Sequence, residues 1–378
     1  MSKFYSRKEI INNSNITLVD HRIIGDKRLD MFCYNKCNDS SDDIVKNSRG
    51  IVFYEDEYVM SGFGYTKEYN ENNLDEISNF LCDSEYLHVY ESHEGAIIRL
   101  FYFNGEWVVC THRKLDAYKS KWSCDLSFGE LFELGIYNEY NNNELTREEV
   151  MNLFMNNLNK NLSYMFLVSN NSQNRIVCKS EDDNKVYFVG TFDKEHNFSL
   201  DNDTKLSKPR ELNLSNVKDI VEYVKNCDVY KIQGVICFND KGNQIKILNS
   251  LYQELFLVRN NQPNIIYRYL QVRNDERIVK KLRELYPDSC KEFDNYENYI
   301  NKIGKNIHHA YLQRYINKKY ISLPKEEYMV MKLSHEYYFK DMVNNIVTEN
   351  IILKFLNLQE TSSLNKMINR YKILYDII

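Results

Sequence analysis

At Asn104-Gly105 the chain is obliged to turn back on itself. Asn-Gly accepts the positive φ angles of a type I′ turn, and the runs on either side, Ala96–Phe103 and Trp107–Thr111, are rich in β-branched and aromatic residues. A hairpin is predicted there. Leu87-His88-Val89-Tyr90 reads as a further strand, so residues 86–111 are expected to form adjacent antiparallel strands. Residues 49–64 predict two short strands around a charged turn. More strands are predicted at 174–179, 186–191, 231–238 and 243–248, the last two joined through Asp240-Lys241-Gly242. Helical spacing marks 127–136, 145–160 and 215–226, and Thr146 followed by Glu149 fits a capping box. Strand-rich segments with inserted helices imply an α+β domain built on antiparallel sheets.

From about residue 251 the pattern changes. Residues 265–286 and 291–319 carry apolar side chains at helical spacing, Ser322-Leu323-Pro324-Lys325-Glu326 reads as a helix start with proline early in its first turn, and the periodicity runs to the end. This predicts two domains, 1–259 and 260–378, the second all-α, a natural division for 378 residues. Charge divides in the same way. Residues 260–378 hold 19 Lys+Arg against 14 Asp+Glu, and residues 1–259 hold 30 against 40. A basic C-terminal part permits contact with phosphate.

No apolar run reaches the roughly 18 residues that span a bilayer, and no apolar stretch follows the charged N-terminus. No membrane association and no signal peptide are expected. The nine cysteines are scattered and odd in number, which points to reduced thiols in a cytosolic-type compartment. Only three alanines occur while Asn, Lys, Ile and Tyr abound. That skew follows AT-rich codons, so Asn141-Asn142-Asn143 is read as a turn.

Covalent nucleotidyltransferases attack the α-phosphate of ATP or GTP with an unprotonated lysine amine, and neighbouring carboxylates hold ribose and metal. Their pattern is Lys-x-Asp-Gly, an acidic residue on a later strand, Glu-Gly-x-Val, then Lys-x-Lys. Six segments here follow that order: Arg49-Gly50-Ile51-Val52-Phe53; Lys67-Glu68-Tyr69-Asn70; Tyr90 to Ile98 around Ser92-His93-Glu94-Gly95; Trp107 to Thr111 with Lys114-Leu115-Asp116-Ala117; Asn174-Arg175-Ile176-Val177; and Gln233-Gly234-Val235-Ile236 followed by Lys246-Ile247-Leu248. Together they resemble the RNA-ligase branch of that superfamily, of the bacteriophage tRNA-repair type, whose relatives are common in large DNA viruses. The likeness covers about residues 45–260. It implies an antiparallel-sheet nucleotidyltransferase (ATP-grasp-like ligase) domain, followed by the helical one.

The departures fall on the charged chemistry. Ser92 stands where the lysine belongs and cannot form a phosphoramide. Glu94 keeps the acid with one added methylene, and Gly95 keeps the glycine. Residues 164–173 contain no Asp or Glu, Gln233 replaces a glutamate, and Leu248 replaces the last lysine while Lys246 survives. The resemblance therefore implies a degenerate nucleotide pocket at Ser92, Glu94, Gly95, Thr111, Gln233, Lys246 and Leu248, supported by Arg49, Lys67 and Arg175, with no catalytic residue. Ser92, Glu94, Gln233 and Lys246 are expected to converge on one cleft. The function expected is binding of nucleic-acid ends, nucleotide or a protein partner without adenylylation, with no cofactor or metal. RNA would be held by the basic C-terminal part, in the host cytoplasm or, for a viral protein, the virion. The alternative is an active RNA ligase or end-repair enzyme with ATP, Mg²⁺ and a displaced lysine, for which Lys114, Lys119 and Lys121 are the nearest in sequence. His93, His308-His309 and the aromatic strands are read as structure.

Overall fold

The computed structural model describes residues 5–60, 62–82, 86–123, 125–140, 144–171, 175–179, 182, 184–239 and 242–375. The turn expected at Asn141–Asn143 lies outside the described residues, as do Asn174, Asp240 and Lys241. The chain divides into two compact units, Met1–Leu257 and Val258–Ile378.

In the first unit α1 (Arg7–Asn12) precedes β1 (Ile16–Ile24) and β2 (Lys27–Tyr34), and α2 (Asp43–Asn47) leads into β3 (Arg49–Tyr54) and β4 (Glu57–Met60). These strands form an antiparallel sheet in chain order. Then follow β5 (Lys67–Asn70), α3 (Leu74–Cys82), β6 (Leu87–Ser92), β7 (Ala96–Phe103), β8 (Glu106–Cys110), α4 (Phe128–Tyr140) and α5 (Arg147–Asn156). Next come β9 (Ser163–Asn170), β10 (Asn184–Phe192), β11 (Phe198–Ser199), β12 (Glu211–Leu212), α6 (Val217–Asn226), β13 (Gly234–Asn239), β14 (Gln244–Leu248) and α7 (Ser250–Arg259). A second sheet has the order β11-β10-β9-β7-β8 and a third the order β12-β6-β13-β14-β5. The pairing of β14 with β5 is parallel, which the sequence did not signal.

Side-chain alternation decides how these layers pack. On β7 and β8, Phe101, Val108 and Cys110 face the first sheet through Leu29, Met31 and Val52. Ile98, Leu100 and Val109 face the opposite way, against Phe132 and Ile136 of α4 and Phe154 of α5. The third sheet buries Val89, Val235, Cys237, Ile245 and Ile247 under α3 and α6. The predicted hairpin closes at Phe103 and Glu106, with Asn104 at φ 46° and Gly105 at φ 93°. The capping box of α5 also forms, Glu149 N donating to Thr146 Oγ1 at 3.3 Å and Thr146 N to Glu149 Oε2 at 2.7 Å.

Two sequence expectations need correction. β6 does not pair with β7. It joins the third sheet beside β13, and the chain crosses to the second sheet through His93–Gly95. Gly95 permits the crossing, since a Cβ there would lie 2.4 Å from the Val168 carbonyl oxygen. Nor is 175–179 a strand. The amides of Ile176, Val177 and Cys178 turn toward a side chain, Glu94, instead of a neighbouring backbone. On its other edge from β8, β7 pairs with β9, most of which lies in the acid-free stretch.

The second unit contains α8 (Ile265–Val272), α9 (Glu276–Leu285), α10 (Cys290–Tyr311), α11 (Lys325–Lys340), α12 (Glu349–Asn357) and α13 (Thr361–Tyr375). No strand occurs among its described residues. α10 continues into a π-helical turn, Leu312–Ile316. Asp275 caps α9 through the amides of Arg277 and Ile278, which explains the break at 273–275 in the predicted helix 265–286. Pro324 sits at the cap of α11, just before its first turn rather than within it.

Candidate functional site

Four of the polar residues quoted from separate segments, Ser92, Glu94, Gln233 and Lys246, meet where β6 ends. Ser92 pairs in register with Gly234, and Lys246 sits on β14 opposite Ile236. Gln233, just before β13, donates its amide N–H to the Ser92 carbonyl at 2.8 Å. The Ser92 hydroxyl donates to Gln233 Oε1 at 3.1 Å, and the Lys246 ammonium donates to the same oxygen at 3.3 Å. Gln233 Nε2 donates to the Tyr252 hydroxyl at 2.8 Å, which in turn donates to Glu94 Oε1 at 2.8 Å. One continuous network therefore joins Ser92, Gln233, Lys246, Tyr252 and Glu94. All but Lys246 are buried.

Glu94 is fully engaged. Its carboxylate accepts from the amides of Ile176 at 2.8 Å, Val177 at 2.9 Å and Cys178 at 3.1 Å, besides Tyr252. Three successive N–H groups around one carboxylate form an anion-binding nest, filled here by the protein's own side chain. Burial pushes the Glu94 carboxyl above its ordinary range, against the downward pull of these hydrogen bonds. Burial, then the Glu94 charge, drive the Tyr252 phenol far upward, so it stays a donor.

Lys246 differs from the rest of the network, because 26% of its side-chain surface remains open. Burial lowers its amine from the ordinary value and Arg49 lowers it further, while Glu68, 4.0 Å away, and Glu94 pull the other way. Arg49 is held near by a buried residue. Arg99 donates to the carbonyls of Gly50 at 2.6 Å and Thr111 at 2.5 Å, tying β3 to the end of β8. Burial, followed by the charges of Arg49, Arg99 and Arg113, pushes His112 down to about 3 and keeps it neutral. Arg49, Arg99 and Arg113 thus gather positive charge around His112.

Ser92, Glu94, Gln233 and Lys246 are thus brought together in a packed cluster. Gly95 serves the strand crossing. Thr111 is not in the network: its hydroxyl accepts the amides of Arg113 and Lys114, and its carbonyl holds Arg99. Leu248 is buried at the end of β14. Lys67 lies on β5 beside Ile245, and Arg175 immediately precedes the amide nest. His93 stacks on Tyr187 at 4.9 Å. An open groove elsewhere in the unit, lined by Arg7, Arg28, Asp30 and Leu18, includes none of these positions. Sequence reasoning missed Tyr252, Glu68 and Arg99. Only Arg99 carried a signal, a lone charge inside the apolar run Ile97 to Phe101.

Fold and cluster together define an α+β protein whose motif segments close on one polar centre, followed by a helical unit. The chain is 30% identical over 350 residues to the immediate-early protein ICP-46 homologue of Invertebrate iridescent virus 3, spanning 87% of this chain and 74% of that protein. It is 27% identical over 369 residues to the homologue of Invertebrate iridescent virus 6, covering 91% and 81%. The chain belongs to this ICP-46 family. No protein-family model matches it. Similar solved structures include a putative ATP-dependent DNA ligase from Aquifex aeolicus, with 12% identity, TM-score 0.44 and coverage of 87% of this chain and 86% of that one. An archaeal ATP-dependent RNA ligase has 13% identity, TM-score 0.43 and coverage of 73% and 71%.

Proposed function

We propose that this protein is a catalytically degenerate, RNA-ligase-like binding protein, holding a phosphate-bearing ligand, a nucleotide or a nucleic-acid end, without covalent attachment. The observation that carries this reading is the fate of the two groups at the nucleophile motif. Ser92 is buried with its hydroxyl committed to Gln233, and both Glu94 oxygens are taken by the 176–178 amides and Tyr252. A serine hydroxyl needs an adjacent base to attack phosphorus, and the neighbour here is an amide. The donor set also does not suit Mg²⁺, which takes oxygen ligands, chiefly carboxylate and water. Glu94 has no free lone pair directed outward, and Glu68 faces an ammonium.

What the cluster offers is positive charge. The partly open Lys246 ammonium and the nearby Arg49 guanidinium would receive phosphate oxygens. Isothermal titration with ATP and with a 5′-phosphorylated dinucleotide tests this. Binding is expected to weaken about ten-fold or more in Lys246→Ala and Arg49→Ala, the loss of a charge-assisted hydrogen bond. It is also expected to fall as pH rises through the lowered Lys246 value, before ordinary lysines titrate, since only the protonated amine attracts phosphate. Equal affinity of wild type and both variants would remove the assignment, and absence of any binding would leave assembly with a protein partner as the better account.

The same amine is the place where the active alternative would reside. A lysine with a lowered value inside the motif cluster is a stronger displaced nucleophile than Lys114 or Lys119, which pair with Asp20 and Asp116. Attack of the neutral amine on the α-phosphorus would form a P–N bond, expel pyrophosphate and release a proton.

A further inference from the structure

We propose that the second unit carries a binding surface for single-stranded nucleic acid, centred on the junction of α10 and α11. It stands on observations separate from the Ser92–Lys246 cluster. Between Glu297 and Glu326 the sequence has no Asp or Glu and six Lys or Arg, among them Arg314, Lys318 and Lys319. Lys318 and Lys319 are exposed, and neither forms an ion pair among the described residues. Such a run attracts a polyanion through release of its counterions.

An aromatic ladder joins the end of that segment to α11. The π-helical turn Leu312–Ile316, in which Asn317 N reaches back to the Leu312 carbonyl at 2.9 Å, lays the Tyr315 ring over His335 at 3.5 Å and 24°. His335 stacks on Tyr338 at 10° and meets the edge of Phe339 at 4.5 Å. The Arg314 guanidinium lies over Tyr315 at 5.9 Å and Tyr328 at 5.4 Å. Lys318 acts on His335 through its charge, and its backbone sits at φ 55°, a left-handed conformation uncommon for lysine. Around the ladder large side chains are left in solvent: Phe339 is 55% exposed, Ile316 64% and Tyr320 89%.

Packing alone accounts for the inner rings. It does not account for exposed aromatics beside unpaired cations, which burial would not select. Aromatic faces that receive unpaired bases, with lysines along the phosphate path, are the arrangement that single strands recognise. A duplex keeps its bases stacked on each other and cannot use the rings. An acidic protein would engage the lysines and gain little from the ladder.

The test is fluorescence anisotropy on the full chain with a labelled 12-nucleotide U-rich RNA, its DNA counterpart and an RNA duplex, at two salt concentrations, with polyglutamate as competitor. Salt-sensitive binding of both single strands in preference to the duplex is expected. Lys318→Gln with Lys319→Gln should weaken it and reduce the salt slope by about 1.4, roughly 0.7 per phosphate contact. Phe339→Ala, an exposed position, should weaken single-strand binding about five-fold or more with the salt slope unchanged. Equal binding of duplex and single strand, unaltered affinity in both variants, or displacement by polyglutamate at equal charge would overturn the proposal.

Discussion

At position 92 the ligase resemblance implies an amine, the chain has a hydroxyl, and that hydroxyl is tied into its neighbours. The Ser92 hydroxyl is one of two donors on Gln233 Oε1, and Gln233 is in turn tied to Tyr252 and Glu94. Ser92→Lys would place a second ammonium beside Lys246 without supplying a free carboxylate. It is therefore expected to yield no nucleotide adduct by intact mass, and an adduct on the new lysine would show that the other departures are tolerable. The network also makes Tyr252 a structural keystone. Tyr252→Phe removes a donor from a buried carboxylate and an acceptor from a buried amide, and is expected to cost about 1–3 kcal/mol in urea unfolding. A change below about 0.5 kcal/mol would mean that water replaces the hydroxyl, contrary to a packed cluster.

Elements whose formation is decided locally were legible in the sequence. The β7–β8 hairpin follows from Asn104-Gly105, and α5 from Thr146 and Glu149, because the groups that satisfy each backbone lie within a few residues. The strand exchange at Gly95 was not legible. It depends on Val168, 73 positions away, and nothing near Gly95 says that β6 will pair with β13. The nest at 176–178 was misread as a strand for the same reason: its acceptor, Glu94, is distant in sequence. Two glycine substitutions separate these cases. Gly105→Ala meets open space and only the positive-φ penalty, about 1–2 kcal/mol. Gly95→Ala drives a Cβ into backbone and is expected to cost about 3 kcal/mol, with loss of the 92–95 crossing. Chemical denaturation that ranked them in the opposite order would contradict the role given to Gly95.

At the scale of the molecule, an acidic α+β unit and a basic helical unit share one chain. The apolar framing of the motif segments was readable from sequence and is what builds the sheets. The charged positions were readable only as departures, and their partners, Tyr252 and the 176–178 amides, required coordinates. The proposal that covalent chemistry is lost while the scaffold is retained rests on these details together, so it is best tested on the unaltered protein. The measurement is intact-protein mass after incubation with ATP or GTP and Mg²⁺, followed by peptide mapping. The mass is predicted to remain that of the bare chain. An added nucleotide monophosphate, mapped to Lys246 or any other lysine, would contradict the account and establish a working nucleotidyltransferase.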